Sequence, residues 1–95
     1  MQYIIRSFDK ADGLDIRLAN RDMHVGYVKS QSVKLLLAGP LMDEETGNPI
    51  GTLLIVEADN RDAVEDYAEN DPYNKAGLFS ESKITAINIT VTNLD

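Results

Sequence analysis

The chain has 95 residues, no cysteine, and sixteen acidic against nine basic residues, for a formal charge of −7 at pH 7. That length allows one domain, 1–95, with a thin core, and the missing thiols exclude disulfides and thiolate-bound metals. A negative average field repels phosphate backbones and anionic lipid, which argues against nucleic acid and membrane surfaces as partners. The first apolar run, within MQYIIRSFDK, is too short for the core of a signal peptide. No stretch approaches the roughly 18 apolar residues of a membrane span. A cytoplasmic protein is expected.

Tyr3 to Phe8 is rich in β-formers and reads as strand 1. Asp12 to Ser30 lacks proline and spaces its apolar residues as a helix does. Leu14, Leu18, Val25 and Val28 share one arc; Ile16, Met23 and Tyr27 share a nearly opposite one. Two apolar faces on one helix imply either a break near Asn20-Arg21-Asp22 or a second face that meets another chain. Val33 to Ala38 reads as strand 2, stopped by Gly39-Pro40. Residues 41–49 are acidic and turn-forming, so a loop is expected there. Thr52 to Glu57 reads as strand 3.

Asn60 suits an N-cap, and Val64, Tyr67 and Ala68 form the stripe of a short second helix. Asp71-Pro72 opens a further helical turn, with Gly77 placed to end it. Lys83 to Thr92 alternates and reads as strand 4.

The resulting order, β-α-β-β-α-β, predicts an α+β, ferredoxin-like fold with a four-stranded antiparallel sheet, strands 1 and 3 central. Both central strands are apolar on two faces: Tyr3 and Ile5 against Ile4 and Phe8, Leu54 and Val56 against Leu53 and Ile55. Helices cover one face only. Leaving the other wet forgoes on the order of 1.5–3 kcal/mol per large side chain, so a homodimer packed sheet on sheet is expected. The rival is a monomer whose loop 41–49 folds across the open face.

Short motifs then line up in order: Arg21-Asp22-Met23-His24, Ala38-Gly39-Pro40, Gly51-Thr52, Asp71-Pro72-Tyr73 and Ala76-Gly77. Together they resemble the YCII-related family over nearly the whole chain. The resemblance implies a dimeric α+β barrel with a pocket in each subunit that holds a paired His24 and Asp71. One activity known in that family is dehydrochlorination of a chlorinated hydroxyquinol. Where family members often carry serine after the strand-3 glycine, this chain has Thr52, which keeps the hydroxyl and adds a methyl.

His24 is the sole histidine, and its side-chain type titrates near neutrality, which suits proton transfer. On residue chemistry alone a surface or boundary histidine capped by a carbonyl is the commoner role. Asp71 either caps a helix start or orients the imidazole. Arg21 is a candidate for an anionic group or a solvated helix residue. Gly39 and Pro40 read as architecture at a pocket wall, and Thr52 and Tyr73 as pocket hydroxyls or packing groups. One histidine and no cysteine leave only carboxylates for a metal, and Asp43-Glu44-Glu45 lacks the spacing of a calcium loop. No phosphate loop, dinucleotide fingerprint or nucleophile elbow is present. Taken with the resemblance, the leading expectation is a cofactor-independent lyase or isomerase acting on a small oxygenated molecule through His24 and Asp71. The alternative is a non-catalytic ligand-binding or regulatory dimer that uses the same pocket.

Overall fold

The computed structural model describes residues 1–30 and 33–94. The elements in chain order are β1 (Gln2–Asp9), α1 (Leu14–Ser30), β2 (Lys34–Met42), β3 (Pro49–Glu57), α2 (Arg61–Glu69), α3 (Pro72–Lys75) and β4 (Phe79–Ile87). The strands form one antiparallel sheet in the order β2-β3-β1-β4, with β1 and β3 central as the patterning predicts.

Strand alternation sorts the side chains. Tyr3, Ile5, Leu54 and Val56 are buried beneath the helices, where they pack with Val28, Val64 and Tyr67. Asp9 continues the parity of Tyr3, Ile5 and Ser7, so it too faces the helices. Ile4, Phe8, Leu53 and Ile55 occupy the opposite face and are half-buried. Two tyrosine hydroxyls tie the helices together: Tyr27 donates to the Tyr67 carbonyl at 2.9 Å and Tyr67 to the Val28 carbonyl at 2.8 Å.

Several boundaries differ from expectation. β2 runs through Gly39 and Pro40 to Met42, with Pro40 opposite Thr52. As an edge strand it turns only half of its N–H groups toward a neighbour, so the missing donor is tolerated. β3 accordingly starts at Pro49, and the loop shrinks to a tight connection in which Gly47 N–H bonds the Asp43 carbonyl at 2.8 Å. β4 starts at Phe79 and ends at Ile87, opposite Gln2. The alternation of Ile87, Ile89 and Val91 continues past the start of β1, where no ladder partner exists. α1 begins at Leu14 and is unbroken, and its buried residues are Arg17, His24 and Val28. Leu18, placed on the inner arc by periodicity, is 59% exposed.

Local chemistry fixes the ends that matter for the site. Asn60 caps α2 by accepting from Ala63 N–H at 2.9 Å. The chain leaves α3 through Gly77 at φ 75°, with Gly77 N–H bonding the Asn74 carbonyl and Leu78 N–H the Tyr73 carbonyl. This glycine-terminated exit turns Leu78 into the core, where it is fully buried, and holds Tyr73 inward.

At Gly51 the strands approach so closely that a Cβ would strike the Ser7 carbonyl oxygen and come within 3.0 Å of Leu41 Cδ1. Gly51→Ala is therefore expected to lower unfolding free energy by about 1–3 kcal/mol, read as a lower urea midpoint.

Candidate functional site

α1 presents Arg17, Arg21, His24 and Val28 to the sheet, spaced at helical intervals along one face. β2 and β3 supply Pro40 and Thr52 from below, and α3 supplies Tyr73 from the side. Between them lies a cavity of about 350 Å³, a size suited to a single-ring molecule. Arg21, His24, Gly39, Pro40, Thr52 and Tyr73 all line it.

His24 and Asp71 meet. His24 Nδ1 lies 2.8 Å from Asp71 Oδ1, and both side chains are buried. The same oxygen accepts from Tyr73 N–H at 2.9 Å, so Asp71 caps α3 while it holds the imidazole. The two readings of this aspartate are one geometry. A carboxylate only accepts, so Nδ1 carries the proton of that bond and Nε2 is left with its lone pair when the ring is neutral. Tyr73 stacks on the imidazole, with centroids 3.9 Å apart and planes inclined by 10°.

Sequence reasoning passed over the neighbouring pair. Arg17 is 5% exposed. It donates from Nε to Asp9 Oδ2 at 2.8 Å, and from Nη2 to Asp9 Oδ1 at 2.9 Å and to Thr52 Oγ1 at 2.8 Å. Its guanidinium carbon sits 4.7 Å from the Tyr73 ring centroid. Burial works against the Arg17 charge, but the hydrogen bonds and charge of Asp9 outweigh it and hold the guanidinium protonated. The available signal was spacing: Arg17 lies seven residues before His24, on the same helical face.

Gly39 faces the open side of the sheet opposite Leu53, and a Cβ there would meet nothing within 4 Å. Nothing within this chain therefore requires glycine at that position.

A profile of the YCII-related domain matches residues 1–88. The chain belongs to the YCII-related family. Its similarity to Protein YciI of Escherichia coli O6:H1 is 31% identity over 91 residues, covering 88% of this chain and 93% of that one. An uncharacterised protein of Haemophilus influenzae is 33% identical over 88 residues, covering 85% and 90%. Among solved structures, the YCII-related chain resembles 5-chloro-2-hydroxyhydroquinone dehydrochlorinase of Burkholderia phenoliruptrix AC1100, bound to 2,5-dihydroxybenzoquinone. That match has 32% identity and a TM-score of 0.86, and covers 93% of this chain and 94% of that one. An antibiotic biosynthesis monooxygenase at 14% identity and a TM-score of 0.59 shares the fold.

Burial pushes the phenols of Tyr27, Tyr67 and Tyr73 above the ordinary tyrosine pKa of 10.0, although Arg17 and Arg21 pull Tyr73 back. A phenol held protonated only in the folded chain contributes stability that is complete below the ordinary value and lost as pH rises beyond it. The urea midpoint is therefore expected to fall steadily above pH 10.0. Tyr67→Phe is expected to show a shallower fall.

Proposed function

We propose that this protein is a cofactor-independent acid–base enzyme, a lyase or isomerase acting on a small cyclic, oxygenated molecule. The observation that carries the reading is the buried 2.8 Å contact between His24 and Asp71 beneath a cavity of single-ring size. His24 Nε2 removes a proton from a carbon or hydroxyl of the substrate. The electron pair left behind shifts a ring double bond or expels a leaving group. Asp71 holds the tautomer that makes Nε2 basic and stabilises the imidazolium that forms. Tyr73 stacking fixes the ring plane. Thr52, Pro40 and Gly39 bound the substrate's seat, and Arg21 stands at its edge. The likeness to a dehydrochlorinase supports elimination as the reaction type.

The functional unit is a homodimer. Ile4, Phe8, Leu37, Leu53 and Ile55 share the sheet face away from the helices, and each is only half-buried in the single chain. A second copy laid on this face completes their burial.

His24→Ala is expected to lower turnover of a chlorinated hydroxyquinol by about 10²–10⁴, and unchanged turnover would overturn the assignment. A ligand that binds and is recovered intact in all conditions would favour a binding protein. Ile55→Lys places a charge in the dimer face, and light scattering after gel filtration is expected to show the wild type as a dimer and the variant as a monomer.

A further inference from the structure

Charge is distributed unevenly between this cavity and the rest of the chain. Three of the nine basic residues, Arg17, Arg21 and Lys29, line it. Among the described residues no acidic one does, in a chain of net charge −7. The carboxylates nearest the chemistry are turned away and occupied: Asp9 on the Arg17 guanidinium and Asp71 on His24 and the Tyr73 amide.

The hydroxyl of Thr52 is set by the same arrangement. It accepts from Arg17 Nη2 at 2.8 Å, a bond from a charged donor that Asp9 fixes in place. Having accepted there, Thr52 keeps its own proton to donate, and a charged neighbour makes it a stronger donor. The guanidinium also interacts with the Tyr73 side chain, which places a phenol beside the same cation. The Tyr73 phenol stays protonated because burial raises it, so it too is a donor rather than a competing anion.

We infer that the cavity binds its ligand as an anion, a phenolate or enolate whose charged oxygen sits against Thr52 Oγ1 and the Arg17 guanidinium, with Arg21 at the mouth. The inference rests on reading this cavity as the site and names the ligand class it takes. Outside the cavity the negative field repels such a molecule; inside it, fixed donors in a dry wall stabilise the charge. Arg17 and Thr52 thereby sort ligands by ionisation, a task separate from proton transfer at His24.

The test uses 4-nitrophenol, whose ionised form alone absorbs visible light, in slightly acidic buffer where the free compound is mostly protonated. Adding the wild-type protein is expected to raise the phenolate band, with 4-nitroanisole binding at least about tenfold more weakly. Thr52→Val, which keeps the shape and removes the donor, is expected to weaken phenolate binding about ten- to a hundredfold. Arg21→Gln, a change at an exposed residue, is expected to give a smaller loss that shrinks in high salt. His24→Ala is expected to keep the band while losing turnover, so failure of the catalytic reading leaves this result standing. No rise in the band, equal binding of 4-nitroanisole, or an unaltered Thr52→Val protein would each overturn the inference.

Discussion

Asp71 Oδ1 accepts two hydrogen bonds, one from the Tyr73 amide and one from His24 Nδ1, and the arrangement of the site follows from that shared oxygen. Through the first bond it starts α3 and turns the Tyr73 ring inward. Through the second it draws the middle of α1 onto the end of α3 across 47 residues of sequence. The tyrosine that the cap positions then stacks on the histidine that the carboxylate holds. Cap, orienter and stacking platform are parts of one contact. Removing the carboxylate would leave a buried imidazole N–H and a buried amide without a partner, a cost of about 1–3 kcal/mol for each.

A second buried contact runs beside the first. Asp9 ends β1 and faces Arg17, whose guanidinium reaches across to Thr52 on β3. A buried ion pair brings little net stability over a well-packed apolar pair, yet breaking one costs about 3–5 kcal/mol because a charge is left alone. Its value here lies in direction: it fixes a cation and a hydroxyl at the cavity wall. One polar contact holds the His24 ring, while the other holds the Thr52 hydroxyl. Both sit on the single face of α1 that meets the sheet.

The architecture was legible because strand alternation and helical spacing respond to the same core. Tyr3, Ile5, Leu54 and Val56 are buried as their parity requires. His24, Asp71, Gly39, Pro40, Thr52 and Tyr73 were legible as short motifs, and the structure brings them to one place. Arg17 was not, because hydropathy assigns an arginine to solvent, and only a partner distant in sequence makes its burial tolerable. The same rule placed Leu18 inward; with Arg17 and His24 on the inner face, the helix turns Leu18 out to 59% exposure. Pro40 looked like a stop because a strand's place at the sheet edge is a property of the whole sheet. The end of β4 is likewise decided by Gln2, where its partner begins, rather than by its own alternation.

These relations reduce the account to the protonation of one ring nitrogen. His24 is the sole histidine, so selective ¹⁵N labelling of histidine gives a single imidazole whose two nitrogens report it directly. In the neutral ring, Nδ1 is predicted to carry the proton and Nε2 the lone pair, and Asp71→Asn is predicted to abolish that preference. A proton found on Nε2 instead, or a mixture of tautomers unchanged by Asp71→Asn, would contradict the role assigned to this pair.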